Sequence, residues 1–243
     1  LHLLPAAVPT LDDPPPRAEG HRMQAPETLD HGAVVASIEG PVAHVELNRD
    51  EKRNAVNAAM AQAFLEVDDE LAARGVTASV LTARGSLFCA GVDLKEPRLP
   101  GQPAPFVPML ERLRGSDRLW VAAVQGGAIG AGVALALACP LVLMSADAWL
   151  WLPEVSKTGR APLGVLRWVG PVIGPRGAFD LAFSERKVGA EEAASRGWIT
   201  AAHAPEDLLP AARALAGRAA GAEADSIREA VALWSVLSAP VSH

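Results

Sequence analysis

The sequence has only two cysteines, Cys89 and Cys139, among 243 residues, and both lie in apolar surroundings. A disulfide framework is therefore not expected, and a reducing cytoplasm fits. Basic runs are missing as well. The net charge is -6 and the pI is about 5.5, and no cluster of cations stands ready to neutralise a row of phosphates, so no nucleic-acid partner is expected. No uninterrupted apolar segment reaches the length of a membrane span, so the chain should be soluble, with no membrane partner. The opening LHLLPAAV lacks a basic start and a sustained apolar core and does not read as a secretion signal. No spacing of His, Cys and carboxylates suggests a metal site. Ser86 and Ser184 lack the setting of a nucleophile elbow.

Half of the residues are hydrophobic, enough for one sizeable core with appendages. Residues 1–30, with Pro14-Pro15-Pro16 at their centre, offer no periodic apolar face and read as a disordered extension; Met23 fits a natural start within it. The folded core is expected over 31–204 and a helical region over 205–243. Residues 33–39 and 42–47 flank Gly40-Pro41 as a β-hairpin. A polar loop, 48–57, leads to a helix at 58–74, whose apolar positions Met60, Phe64, Val67 and Leu71 leave Glu66, Asp68, Asp69 and Glu70 mostly outward. Strands are expected at 78–83, 119–124, 140–144 and 148–152. The Pro-rich stretch 97–108 reads as a loop, with a helix starting at Met109. Further helices fit 190–196, 205–220 and 226–237, the last with Ile227, Ala230, Val231, Trp234 and Leu237 on one side. Alternating strands and helices of this kind define an α/β fold with parallel pairing. His44 in a strand and His203 in a loop have no nameable partners and read as structural or surface residues.

Two glycine-containing turns follow buried strands: CAGVD at 89–93 and GGAIGAG at 126–132. Residues from Ala131 onward are good helix formers, so the second turn feeds a helix N-terminus whose free N–H groups suit an anion, although small residues also permit close packing with nothing bound. If both turns face one cavity, two backbone N–H groups converge on one carbonyl oxygen. Such an oxyanion hole, worth roughly 3 kcal/mol per donor, suits a thioester that becomes an enolate. The glycines at 127–132 look superficially like a dinucleotide turn, but no acidic residue at the next strand end completes that pattern.

The segments LNRDEKRNAVN, SLFCAGVDL, VAAVQGGAIGAGVALALAC and LPEV, in this order, resemble the four signature regions of the crotonase (enoyl-CoA hydratase/isomerase) superfamily. The resemblance spans about residues 33–220. It implies a crotonase-like spiral of ββα units with C-terminal helices, and an enzyme whose substrate is an acyl-CoA or related pantetheine thioester. Coenzyme A then belongs to the substrate and no other cofactor is needed. It also implies a homotrimer or homohexamer. By the same resemblance the oxyanion donors are the N–H groups of Val92 and Ala131, the latter replacing the usual glycine between Gly130 and Gly132. Ala90, Gly91 and Gly130 border the thioester. Lys52, Arg53 and Ala55 lie along the pantetheine and nucleotide, and Lys52, Arg53 and Lys95 are candidates to meet CoA phosphates.

Hydratases of this superfamily carry two glutamates. Glu154, in LPE, matches the second; the first falls on Ala134, which has no proton to exchange. One carboxylate suits isomerases that move a double bond by taking a proton from C2 and returning it at C4. Trp149, Leu150, Trp151, Leu152 and Val155 should desolvate Glu154 and raise its basicity. Hydration, carboxymethylproline-synthase-like C–C bond formation and a catalytically degenerate CoA-binding homologue are the alternatives. Asp93 reads as a structural carboxylate holding the CAGVD turn. Residues 158–164 depart from the usual glycine-rich turn beside the acyl pocket, so the acyl group should differ from a plain fatty chain. The sequence stops at His243, without the longer C-terminal tail of many relatives, so the resemblance leaves assembly by such a tail open.

Overall fold

The structure is a computed structural model and describes residues 26–96 and 103–239. Its first strands, β1 (Glu27–Asp30), β2 (Val34–Glu39) and β3 (Val42–Leu47), form an antiparallel meander. The extension expected to lack structure through residue 30 is thus a strand from Glu27. Leu29 is buried opposite Ala36, and Glu27 pairs with Arg74 at 2.9 Å, contacts a tally of local composition does not register. Pro14-Pro15-Pro16 and Met23 lie outside the described residues.

After α1 (Ala58–Ala73), capped by the Asn57 side chain accepting from the Met60 N–H, the chain repeats one unit. Strand β4 (Ala78–Ala83) is followed by β5 (Leu87–Cys89) and α2 (Phe106–Arg114). Then β6 (Leu119–Val124) is followed by β7 (Gly127–Ile129) and α3 (Ala131–Ala138), and β8 (Leu141–Ser145) by β9 (Trp149–Trp151), α4 (Glu154–Thr158) and α5 (Leu163–Ser184). The first strand of each unit joins a seven-stranded sheet, β1-β2-β3-β4-β6-β8-β11, and the second a four-stranded sheet, β10-β9-β7-β5. Here β10 is Val188–Gly189 and β11 is Ala201–His203, joined by α6 (Ala190–Ser195). Helices α2 and α3 carry the chain back to the large sheet, so the ββα units wind as a spiral with parallel pairing between turns.

Burial on both faces explains why β4 and β6 show continuous apolar runs rather than alternation. Leu81, Ala122 and Val124 enter the main core with Met60, Phe64, Val67 and Leu71 of α1. Ala78, Val80, Val121 and Ala123 face Leu208, Ala212 and Ala216 of α7 (Pro205–Ala220). Helix α3 has no polar side chain and is buried at all eight positions, as its central place demands.

Several expectations shift locally. The glycine stretch includes strand β7 rather than a pure turn, because Ala128 pairs with both Cys89 and Leu150. Helix α2 starts at Phe106, not Met109; Pro108 sits in its first turn, where a missing N–H leaves no bond unmade, and residues 97–102 of the expected loop are outside the described region. Asp68 turns inward, against Arg112 and Arg118. His203 belongs to β11, and His44 donates to or accepts from Thr82 Oγ1 at 2.8 Å. On α8 (Ala224–Leu237) Val231 is buried and Ile227 and Trp234 half-buried, while Ala230 and Leu237 are exposed.

Candidate active site

The second strands of three successive units run parallel in the small sheet, so the residues following β5, β7 and β9 meet at one end. After β5 comes Ala90-Gly91-Val92, after β7 Gly130-Ala131, and after β9 Pro153-Glu154. A methyl group added to Gly91 would lie 3.6 Å from the Ala131 nitrogen, and one added to Gly132 would collide with the Cys89 carbonyl. The two turns therefore abut with no room for side chains. Gly130 holds φ +54, and its own added methyl would lie 2.7 Å from Oε1 of Glu154. Only glycine permits both that backbone and that carboxylate position.

Glu154 opens α4, directly after Leu152 and Pro153, both buried. Its Oε2 is buried and has no hydrogen-bond partner among the described residues. Burial pushes the carboxyl pKa above its ordinary value, and the charge of Glu185 adds to the rise. Beside it, the Gly130 N–H is tied to the Trp151 carbonyl at 2.9 Å, which locks the β7 end to the β9 end. Among the described residues neither the Val92 nor the Ala131 N–H has a hydrogen-bond partner. Ala134 is buried one turn into α3 and presents only a methyl group. The candidate site thus brings together one half-buried carboxyl and two amides without a partner among the described residues. That set can move a proton beside a polarised carbonyl.

The loop carrying Lys52, Arg53 and Ala55 docks on the same turn. The Ala90 N–H donates to the Arg53 carbonyl at 3.0 Å, the Val56 N–H to the Gly91 carbonyl at 2.7 Å, and the Asp93 N–H to the Val56 carbonyl at 2.9 Å. Lys52 and Arg53 are exposed, as is Lys95 on the other side of the turn. All the site residues expected from the sequence are therefore brought to one region, with the cations at its rim.

Three contributors to this frame were not singled out by sequence reasoning. Arg49 donates to the Ala55 carbonyl and pairs with Asp93 at 3.0 Å, which holds the Asp93 carboxyl below the ordinary range. Asn54, fully buried with φ +53, donates to the Arg84 and Leu87 carbonyls at 2.8 and 3.0 Å. Gln125 donates to the Ala83 carbonyl at 2.7 Å. Their polar character in otherwise apolar or turn segments was the available signal. A separate cleft of about 570 Å³ opens between α2, α5 and α8, lined by Val107, Arg114 and Trp168 among others. None of its lining residues belongs to the group around Glu154, so this cleft is not the candidate site.

A spiral of ββα units, with a half-buried carboxyl beside the loop that carries Ala131, has the architecture of the crotonase class. Comparison narrows this: the model of the enoyl-CoA hydratase/isomerase family matches residues 37–237, and the chain belongs to that family. It is 37% identical over 199 residues to a Thermus thermophilus protein provisionally named enoyl-CoA hydratase, covering 78% of each. It is 31% identical over 216 residues to the mitochondrial Delta(3,5)-Delta(2,4)-dienoyl-CoA isomerase of Rattus norvegicus, covering 78% of this chain and 65% of that enzyme. A monofunctional enoyl-CoA isomerase from M. smegmatis superposes with a TM-score of 0.72 at 27% identity, over 85% of this chain and 94% of that one.

Proposed function

We propose that this enzyme isomerises a double bond in an enoyl-CoA thioester, with Glu154 as its one acid/base. The observation that carries the reading is the buried, unpartnered Oε2 of Glu154 beside Gly130 and Ala131, with Ala134 where a second carboxylate would be needed to hold water. Ionised Glu154 takes a proton from C2. The electrons move into a dienolate whose oxygen accepts from the Val92 and Ala131 N–H groups, and Glu154-H returns the proton at C4. Each amide contributes roughly 3 kcal/mol as the oxygen gains charge. Two relatives named as isomerases support isomerisation, while the Thermus relative is named as a hydratase.

Lys52, Arg53 and Lys95, exposed around the docked loop, would meet the phosphates of coenzyme A, which enters as part of the substrate. No separate cofactor is required by this mechanism. A trimer or hexamer is proposed on family resemblance alone. A cytoplasmic location suits the two free, buried thiols, the Cys89 thiol pushed up to about 12 by burial. Among the described residues no helix is long and apolar enough to cross a membrane.

The test is to offer the purified protein a 3-enoyl-CoA and a 2-enoyl-CoA and to follow the enoyl-thioester absorbance, with Glu154→Gln as control. Conversion of the 3-enoyl ester that vanishes in Glu154→Gln supports the reading. Equal rates in both proteins remove Glu154 from the mechanism, and binding without conversion favours a degenerate homologue.

A further inference from the structure

Among the described residues, three that are not glycine hold a left-handed backbone: Arg53, Asn54 and Glu185. The first two belong to the docked loop at the site. Glu185 lies far along the chain, where it ends α5 with φ 49 and ψ 23. A β-carbon disfavours that conformation, so a residue that keeps it is held by surrounding contacts. Those contacts both run to the segment carrying Glu154. The Glu185 carbonyl accepts from Trp151 Nε1 at 2.7 Å, and its carboxylate Oε1 accepts from the Ser156 N–H at 2.7 Å. Trp151 ends β9 three residues before Glu154, and Ser156 lies two residues after it.

We infer that Glu185 is a positioning residue for Glu154, clamping the chain on both sides of the carboxyl so that Oε1 stays against Gly130. Resting on the reading of Glu154 as the base, the inference assigns Glu185 no contact with substrate. The Ser156 N–H is one of the free amides in the first turn of α4, and a carboxylate is the strongest acceptor a side chain can bring to it. That bond ties the first turn of α4, which begins with the proposed base, directly to the end of α5, while the Trp151 indole ties the end of β9 to the same residue.

The same placement brings a negative charge near Glu154. The charged side chains on the neighbouring elements are Lys157 on α4, Arg167, Arg176 and Asp180 on α5, Arg186 and Lys187 before β10, and Glu185. Arg186 pairs with Asp180 and Glu192, and Lys187 lies over the Trp149 ring at 3.8 Å. Strands β7 and β9 and helix α3 carry none. The Glu185 charge opposes ionisation of the Glu154 carboxyl, adding to the larger effect of burial.

Two variants separate clamp from charge. Glu185→Gln keeps a carbonyl oxygen for Ser156 and loses the charge; Glu185→Gly keeps the left-handed backbone and the carbonyl for Trp151 and loses the side chain. In Glu185→Gly, kcat should fall about tenfold with KM and melting temperature unchanged, since small misplacements of a reacting group cost that much or more. In Glu185→Gln, the acid limb of kcat/KM should move to lower pH with the plateau nearly kept. The Glu154 titration is also followed directly by NMR of δ-¹³C-glutamate-labelled protein, its signal identified by loss in Glu154→Gln. An acid limb and a Glu154 titration unmoved in Glu185→Gln, or an unchanged kcat in Glu185→Gly, overturn the inference. If wild type converts no enoyl-CoA at all while the Glu154 titration still shifts to lower pH in Glu185→Gln, the proposed reaction fails and the coupling of Glu185 to Glu154 stands.

Discussion

Asp68, buried, and Glu154, half-buried, are carboxyl groups that this protein treats oppositely. Asp68, 3% exposed on α1, accepts from Arg112 at 2.9 Å and lies 3.1 Å from Arg118, whose Nη2 also donates to the Asp68 carbonyl. Each carboxyl has one buried oxygen without a hydrogen-bond partner, Oδ1 of Asp68 and Oε2 of Glu154, but among the described residues only Asp68 has cations beside it. A charge enclosed with its counter-ions is a strut between α1, α2 and the start of β6. A carboxyl enclosed without them has its proton affinity raised and remains available for transfer. Burial alone therefore does not mark a functional carboxylate in this fold; burial combined with the lack of a counter-ion does.

The contrast breaks most sharply at Glu154 itself. Glu154→Gln should lower kcat about a thousandfold, within the range for loss of general acid–base catalysis, while leaving the folded protein intact. Steady-state rates beside a urea melt check both halves. Asp68→Ala should behave in reverse: it strands Arg118 in the interior and costs about 3–5 kcal/mol of stability, read from the same melt, with kcat per folded molecule kept. If the two outcomes were exchanged, the assignment of strut and base would be wrong.

Gly130→Ala tests how tightly the carboxyl is seated. Its methyl would press on Oε1 of Glu154 at 2.7 Å from a φ of +54, and the strain of about 1–2 kcal/mol for that backbone should accompany a drop in kcat of about a hundredfold. A variant with wild-type kcat would show that the Glu154 position is not what the rate depends on.

The pH dependence sharpens the comparison without a large change at any one pH. Burial raises the Glu154 pKa in the folded state above its ordinary 4.5, so the folded protein binds that proton more tightly than the unfolded chain. The stability this group lends is full below the unfolded value and is lost as pH rises through the raised folded value. Urea melts of wild type and Glu154→Gln should therefore diverge upward from about pH 4.5, the wild type losing ground, and the same raised value should set the acid limb of kcat/KM. Parallel melts across that range would mean that Glu154 is not desolvated. The smallest effect is expected at the rim, where Lys95→Ala should raise KM about threefold with kcat unchanged, as befits an exposed ion pair to a phosphate.

Much of this was legible in the sequence. Most of the strand and helix order follows from apolar periodicity; the two glycine turns are read from the residues, and the crotonase resemblance picks out Val92, Ala131 and Glu154 as the candidate site. What local pattern could not show was pairing across distance. Asp68 reads as one of four acidic residues on a polar helix face, yet two arginines some 44 and 50 positions later draw it inward. Glu27–Asp30 reads as a continuation of a Pro-rich tail until β2 supplies its partner. Strand β7 has too few residues to announce itself and exists because β5 and β9 lie on either side. Glu185 gave no sign, since left-handed backbone at a non-glycine residue has no compositional mark.

Each coil of the spiral brings one loop to the same end of the small sheet: Val92 follows β5, Ala131 follows β7 and Glu154 follows β9. Because each coil brings its own loop to the site, a replacement within one helix can leave the backbone of the other loops in place. Alanine at position 134 is such a replacement, confined to the coil of β7 and α3, and it turns a scaffold able to host two acids into one that hosts a single acid. Divergence within this architecture can thus proceed by exchanging modules of chemistry rather than by rebuilding a cavity.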